Sequence, residues 1–386
     1  MNLNSLADKI RDWDSITKLK ILFFLIVLAL IGFFVIKNVF FGQQKSNLPC
    51  FRATIRIWSP FNNNDLLAVL NPLHSYCISF VFENKTLDDI DMDFIDSLLN
   101  NKYPHIVYLD DNLLNKYQEH LVSEPILFNV DTLISYYNKD YLNFLGLPKL
   151  KTIDDIPTFV SQAKASLKKD VYPVGLGSVE IRNYKEIIFS IFSGYMRISN
   201  NFKPQETFKK TMDFYTSFSD PTSPNFSYPL DSGSDIQNFA AEKLVVYFGF
   251  YQDKNEINKF NPRLNYEIYY FPNVLPPKII LSSKRYYWAI VKRDNINLSK
   301  DVLNFFIKKN PDSLDSFIKK YDLVSEWERQ PSQDKQIVLE SFKNYGTNID
   351  YKTKLSILRY ISDYLNNIDN PVEANKILNF VNSIRF

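Results

Sequence analysis

The feature that most constrains this 386-residue sequence is an uninterrupted apolar run near its start, Ile21–Ile36. Together with the apolar residues that follow Lys37 and Asn38, a helix over residues 21–41 would reach roughly 31 Å, about the hydrocarbon thickness of a bilayer. The run is apolar on every face, and no A-x-A cleavage pattern follows it. The sequence predicts an uncleaved transmembrane anchor. A cleavable signal peptide and a buried core helix are the alternatives.

Basic residues flank the run unevenly, and their bias predicts the orientation of the anchor. Four precede it (Lys9, Arg11, Lys18 and Lys20) and two follow it (Lys37 and Lys45). We therefore expect residues 1–20 to be cytoplasmic and the body, from about residue 50, to lie outside the cytoplasm. A single-pass protein of the cell membrane is predicted.

The two cysteines of the sequence, Cys50 and Cys77, precede or open neighbouring predicted strands. An extracytoplasmic body permits a disulfide between them, which would contribute roughly 3 kcal/mol in the chain-entropy model. Two free thiols fit the sequence equally well. The pair is a disulfide candidate and no more.

Composition excludes several classes of protein. A chain that is 45% hydrophobic and 16% aromatic is not intrinsically disordered. A net charge of +2 gives no electrostatic reason to expect nucleic acid as a partner, and three His with two Cys leave little for a transition-metal site. The motifs G-x-S-x-G, H-E-x-x-H, C-x-x-C and GK[ST] are absent. We therefore expect that this protein binds no metal and no cofactor and that it is not an enzyme.

The body alternates strand-like and helix-like segments, which is typical of an α/β fold with a parallel sheet covered on both faces. Predicted strands are Ala53–Trp58, Cys77–Phe82, His105–Leu109, Lys243–Phe248, Tyr266–Phe271 and Tyr287–Val291. Asp88 is predicted to cap a helix that carries Ile90, Phe94 and Leu98 on one face. After residue 291 the pattern is wholly helical.

Several segments, in order, carry a resemblance to a known family. They are Ile57-Trp58, the run from Pro104 to Asp111, the run from Leu133 to Leu142, Gly146 to Pro148, Thr152 to Asp155, Phe239 to Gly249, Tyr287 to Lys292, Ile361 to Leu365 and Pro371 to Ala374. The chain resembles the extracellular solute-binding proteins of ABC transporters, in the maltose-binding-protein-like, sugar-binding group. It departs from the family at Ser135 and Glu242, and it is shorter between Tyr117 and Pro125.

The resemblance implies a periplasmic-binding-protein type II-like fold, in which two α/β lobes close on a ligand about a hinge. The first lobe would comprise residues 50–130 and about 284–310. The second would comprise about 131–283 and 311–386. Ligands of such folds lie outside the carboxyl ends of the strands.

The resemblance also implies the residues that bind the ligand. From the first lobe and the crossing we expect Trp58, Ser59, Asn62, Asn63, Asp110, Asp111 and Asp131. From the second lobe we expect Arg182, Asn183, Tyr184 and Tyr251. Aromatic rings stack on the apolar faces of sugars, and Asp and Asn hold hydroxyls. In a chain with 32 Phe and 24 Tyr, each of these residues has a purely structural interpretation as well.

The function implied is capture of a small solute, a carbohydrate, for delivery to ABC permease subunits. Two other hypotheses remain open. The same fold could serve as a surface sensor or interaction module with a degenerate cleft. An anchored hydrolase would need two carboxylates that face each other across the cleft, with Asp110, Asp111 and Asp131 as candidates.

Overall fold

In the computed structural model, the central sheet contains both parallel and antiparallel strand pairs. The structure describes residues 53–100, 102–122, 124–198, 203–272, 282–345, 351–368 and 370–381. Its strands are β1 (Ala53–Ser59), β2 (Ile78–Asn84), β3 (Ile106–Asp110), β4 (Ile126–Asn138), β5 (Tyr172–Val174), β6 (Leu244–Phe250), β7 (Tyr266–Tyr270) and β8 (Ser283–Ile290). They form a sheet of order β2-β1-β3-β8-β4-β6-β5, with β7 paired to β4.

The parallel sheet predicted from the alternation is wrong for four of the six strand pairs described below. β1 runs parallel to β3, and β5 parallel to β6. β8 pairs antiparallel with both β3 and β4, and β4 pairs antiparallel with β6 and β7. The strand-helix alternation does not reveal these pairs, because β8 enters the middle of the sheet from late in the chain.

Helices cover this sheet. They are α1 (Asn63–Leu70), α2 (Leu87–Leu99), α3 (Asp111–Lys116), α4 (Lys139–Leu145), α5 (Ile156–Lys164), α6 (Tyr184–Ile198), α7 (Pro204–Thr216), α8 (Asp235–Ala240), α9 (Asp253–Phe260), α10 (Ile296–Asn304), α11 (Pro311–Lys320), α12 (Gln333–Tyr345), α13 (Tyr351–Asn366) and α14 (Pro371–Val381). Short 3-10 turns lie at Asn71–Tyr76, Gln118–His120 and Ile153–Asp155, and a π turn lies at Phe305–Lys309. No described strand follows β8, as predicted.

Local sequence explains where several helices begin and end. The Asn138 side chain caps α4 by accepting hydrogen bonds from the backbone N–H groups of Asp140 (3.0 Å) and Tyr141 (3.2 Å). Gly146 ends the same helix in the left-handed conformation, at φ 63°. Helix α2 starts earlier than predicted, because Thr86 and not Asp88 is its cap, in a capping box with Asp89.

The chain divides into two compact units, one of Met1–Ala53 with Leu73–Ser79 and one of Thr54–Pro72 with Phe80–Phe386. In the first unit the described residues are Ala53 and Leu73–Ser79, which hold the later part of a 3-10 turn and the start of β2. Everything that follows concerns the second unit.

Two clusters of buried apolar residues can be described in the second unit, apart from the aromatic rings around Phe61 and Trp288. One lies among β1, β3, β8 and the helices beside them, and includes Trp58 and Phe94. The larger lies among β4 to β7 and the helices α4 to α9 and α12 to α14. Helix α11, which the prediction assigns to the second lobe, has its Phe317 ring 5.0 Å from that of Phe61 and 5.8 Å from that of Phe306. The predicted lobe limits stay a prediction.

Two predictions concern residues near the start of the chain. The predicted anchor, residues 21–41, lies outside the described residues. Among those the structure does describe, no helix has the length and apolar character needed to span a bilayer. Cys77 is disulfide-bonded. Cys50 lies outside the described residues, so the Cys50–Cys77 pair stays a prediction.

Candidate functional site

Strand β4 is thirteen residues long and belongs to both halves of the sheet. Its first part, from Ile126 to Thr132, pairs with β8. Its second part, from Leu133 to Asn138, pairs with β6 and β7. A third segment runs beside it, since the backbone N–H of Val130 donates to the carbonyl of Val324 at 2.9 Å. The two halves of the second unit are therefore joined at β4 and β8.

Asp131 lies on β4 at this junction, directly opposite Lys284 on β8. Its carboxylate accepts hydrogen bonds from the backbone N–H groups of Tyr251 (2.7 Å) and Gln252 (3.3 Å). The residue is 1% exposed. Burial raises its pKa to about 7, while the Lys284 charge lowers it and the Asp253 charge raises it further. Asp131 therefore holds the turn after β6 onto the crossing strand.

Two carboxylates lie at the end of β3, Asp110 and Asp111, and they have different structural roles. Asp110 caps α3 by accepting a hydrogen bond from the backbone N–H of Leu113 at 2.9 Å, and burial raises its pKa. Asp111 faces β8, where Arg285 Nε donates to it at 3.1 Å and the Tyr287 hydroxyl at 3.2 Å. Asp111 thus fixes two side chains at the start of β8.

In the second half, Asp253 organises a buried polar network. It accepts hydrogen bonds from the Tyr247 hydroxyl (2.7 Å), the Phe250 N–H (2.9 Å) and Asn183 Nδ2 (3.1 Å). Gly249 makes this approach possible, because a Cβ there would lie 2.4 Å from the Tyr247 ring and 2.5 Å from the Asp253 carboxylate. Asn183 is consequently a structural residue here.

The aromatic rings expected to stack on a ligand are enclosed in this structure. Trp58 is 2% exposed, with its ring edge-to-face on Phe94 at 6.5 Å and the Lys85 ammonium 4.6 Å from its centroid. Tyr251 is fully buried, beneath the Lys254 ammonium at 4.0 Å. Neither ring can contact a ligand without a rearrangement, because neither residue is more than 2% exposed.

The other predicted residues range from buried to open. Ser59 is buried and accepts a hydrogen bond from the Phe61 N–H. Asn62 caps α1 and Asn63 follows it, both exposed. Arg182 is 44% exposed and pairs with Glu256. The half-buried Tyr184 hydroxyl lies 3.2 Å from Ser362 Oγ.

The structure adds site residues that the sequence did not single out. Lys354 on α13 donates to the carbonyl of Ser283 at 2.9 Å, at the start of β8. The next residue along β8, Lys284, places its ammonium 4.0 Å from the centre of the Phe250 ring. The predicted strand began at Tyr287, too late to include Ser283 and Lys284. The polar run Ser-Ser-Lys-Arg directly before Tyr286 was the signal available in the sequence.

These side chains form one charged group, which we call the central cluster: Asp111, Lys284, Arg285, Tyr287 and Lys354. Charges on Asp111, Arg285 and Lys284 all act on the Lys354 ammonium, as does that of Glu186 on α6. The cluster draws on β3–α3, β8 and α13, so it joins elements from both halves of the second unit. No group of three possible metal-ligating side chains occurs among the described residues.

No protein-family model matches this chain, and no curated protein does. Solved structures match it. An ABC-transporter solute-binding protein from Thermotoga lettingae, bound with α-D-tagatose, aligns at TM-score 0.57 and 15% identity over 86% of this chain and 99% of that chain. The maltose-binding protein MalE of Listeria monocytogenes, in complex with maltose, aligns at TM-score 0.62 and 11% identity over 86% and 97%. The GacH receptor of Streptomyces glaucescens, solved unliganded and with acarbose, aligns at 0.59 and 10% over 84% and 96%.

These matches establish the fold. The chain has the mixed α/β fold of the ABC-transporter solute-binding proteins of the maltose-binding type, and the resemblance read from the sequence is confirmed at that level. Identities of 10% to 15% carry no ligand or residue role from one protein to another.

Proposed function

We propose that this protein is a membrane-anchored extracytoplasmic solute-binding protein that captures a small solute, a carbohydrate, for an ABC importer. The observation that carries the proposal is the extent of the match. The alignment covers 99%, 97% and 96% of three solute-binding proteins, so the chain contains the whole of their fold and not one lobe of it. Each of those three was solved with a small carbohydrate-like ligand named in its description.

The position of the central cluster supports a binding role. Asp111 follows β3 in the first half, whereas Lys354 comes from α13, which packs with the second half. A solute that contacts both halves binds the closed form better than the open form, and this differential affinity drives closure. Polar side chains from both sides are therefore the arrangement that capture by closure requires.

The predicted anchor completes the proposal. A body tethered through residues 21–41 stays near a permease in the same membrane, which raises its effective concentration there. Extracytoplasmic placement rests on the flanking basic residues of the sequence. We propose permease subunits of an ABC transporter as the protein partners.

Binding is favoured over hydrolysis by the state of the three candidate carboxylates. Asp110 caps a helix, Asp111 pairs with Arg285, and Asp131 holds two backbone N–H groups while almost fully buried. General acid–base cleavage of a glycoside needs two carboxyl groups free to reach the scissile bond. None of the three is free in that sense.

A second candidate function is a surface sensor or interaction module that no longer binds a solute. The observation in its favour is the enclosure of Trp58 and Tyr251, the two rings expected to stack on a sugar. This candidate predicts that no small solute stabilises the protein.

Thermal unfolding of the full chain in detergent micelles separates the two. A solute at 100 times its dissociation constant adds about 2.7 kcal/mol to the stability of the native state. We expect a raised midpoint with at least one class among mono- and oligosaccharides, amino acids and peptides. The shift should disappear in Arg285→Gln and persist in Lys352→Gln, a matched change at an exposed lysine of α13. An unchanged midpoint across the whole panel would favour the sensor.

A further inference from the structure

Two cations of the central cluster have no carboxylate partner among the described residues. The Lys354 ammonium has one hydrogen bond to protein, to the Ser283 carbonyl at 2.9 Å. The Lys284 ammonium contacts the face of the Phe250 ring. Most other basic groups nearby are paired: Arg285 with Asp111, Arg182 with Glu256, and Lys254 with Asp322.

The imbalance matters most at Lys354, because it is half-buried, whereas Lys284 is exposed. Desolvation is the main cause that lowers its pKa; Asp111 and Glu186 raise the pKa, and Arg285 and Lys284 lower it again. An ammonium group has three donors, and a buried one needs an anion or full hydrogen bonding. Among the described residues, one carbonyl and no anion contact the Lys354 ammonium.

Asp111 and Asp131 cannot meet this need, and Glu186 acts on Lys354 only through its charge, with no ion pair between the two. Asp111 is already engaged by Arg285 and Tyr287. Asp131, opposite Lys284 on the neighbouring strand, gives its oxygens to two backbone N–H groups, and burial raises its pKa to about 7. Of the three cations Lys284, Arg285 and Lys354, Arg285 alone forms an ion pair with a carboxylate in the part of the chain that the structure describes.

We propose that the captured solute is acidic, and that its carboxylate or phosphate binds between Lys284 and Lys354. This inference rests on the proposed function and names the chemical class of its solute. Arg285, oriented by Asp111, supplies a further donor beside them. The anion replaces the missing counter-charge, so the two lysines contribute to affinity only when the solute carries that group.

A neutral sugar would not fill this role. Hydroxyl groups accept hydrogen bonds from an ammonium but supply no counter-charge, whereas a carboxylate or phosphate adds an ion pair to the hydrogen bond. We therefore expect an acidic solute to bind on the order of 10 to 100 times more tightly than the matched neutral one.

Calorimetric titration of the full chain in detergent micelles tests this. The probes are matched sets: glucuronate and glucose 6-phosphate against glucose, galacturonate against galactose, and glutamate against glutamine. The carboxylated and phosphorylated members distinguish the two sources of the anion. We expect at least one acidic probe to bind at least tenfold more tightly than its neutral partner.

Variants then assign the effect to the two lysines. Lys354→Gln and Lys284→Gln should each reduce the preference for the acidic member at least tenfold, and Lys352→Gln should leave it unchanged. Unfolding midpoints without solute check that each variant is folded. Binding of neutral probes as tightly as acidic ones would overturn the inference and leave the proposed function standing. An acidic preference that survives both lysine changes would also overturn it. Failure of every probe would count against both.

Discussion

Two polar groups of the second unit differ in how completely the protein itself satisfies them. Around Asp253, each partner is internal: a tyrosine hydroxyl, a backbone N–H and an asparagine amide converge on one buried carboxylate. In the central cluster, Lys354 and Lys284 lack a carboxylate among the described residues. A satisfied network stabilises the fold, whereas an unsatisfied one costs stability until something else completes it. The first group is therefore structural, and the second is the binding site we propose.

Removing the centre of the satisfied network should have the largest effect. Asp253→Ala leaves the Tyr247 hydroxyl, the Phe250 N–H and the Asn183 amide without their acceptor, which should lower the free energy of unfolding by about 3 kcal/mol or more. Denaturant unfolding of the full chain in micelles measures it. Glu256→Gln, a change at a half-buried position on the same helix, is the control and should cost well under half as much. Equal losses would mean that Asp253 is not the centre of a network.

Adding a methyl group inside the same network should lower the free energy of unfolding by somewhat less. Gly249→Ala places a methyl group 2.4 Å from the Tyr247 ring and 2.5 Å from the Asp253 carboxylate, so these groups must shift. We expect the shift to lower the free energy of unfolding by about 2 kcal/mol. At Gly175 the nearest atom to an added Cβ would be the flexible Leu244 Cδ2, at 3.1 Å, so Gly175→Ala should be milder. Unfolding midpoints of the two variants compare them. A harmless Gly249→Ala would show that the network tolerates rearrangement.

Asp131 connects the two groups, and its raised pKa predicts a pH dependence. Because the pKa is about 7 in the folded protein and about 4 in the unfolded chain, the folded state binds the proton more tightly. This contribution is fully present below pH 4 and is lost as the pH rises through 7. The free energy of unfolding of wild type, minus that of Asp131→Asn, should therefore be higher at pH 5 than at pH 7.5, by roughly 2 kcal/mol.

The comparison of wild type with the variant cancels the other titrating groups, including Asp235, whose pKa burial raises to about 6. Paired denaturant curves at the two pH values supply the measurement. The same difference at both values would mean that Asp131 is ionised normally in the folded protein.

The smallest effect should have the opposite sign. Without solute, Lys354→Gln removes an ammonium that is screened from water and short of counter-charge, and it should raise the free energy of unfolding by about 1 kcal/mol. Lys352→Gln, at an exposed position of the same helix, should change it by less than about 0.5 kcal/mol. Thermal unfolding of the three proteins reports the order. A destabilised Lys354→Gln would assign this lysine to the fold and not to ligand binding.

Part of this architecture could be read from the sequence. The strands β1, β2, β3, β6 and β7 follow from alternating or β-rich runs between turn signals, and their predicted limits differ from the structure by one or two residues. Strand β4 could not be predicted from period-two alternation, because it is buried along nearly its whole length. The first residues of β8 were missed because charged side chains that face a site look like a solvated loop.

The site was harder to predict than the fold for a related reason. The family resemblance named Asp131 and Asn183 as ligand-binding residues, whereas their side-chain contacts in the structure hold a backbone turn and a buried carboxylate. Lys354 lies in an ordinary amphipathic helix pattern, Leu355, Leu358 and Ile361, where a lysine predicts exposure. Only the packing of α13 beside β8 and α3 brings it to the central cluster.

Hydrogen–deuterium exchange on the full chain, with and without the solute that binds most tightly, tests the central claim most directly. We predict that the solute protects backbone amides at the start of β8, Ser283–Tyr287, and in the first turns of α3 and α13. Amides around Asp253 should change little, because their partners are already in place. Protection confined to the Asp253 network would contradict the assignment of the binding site to the central cluster.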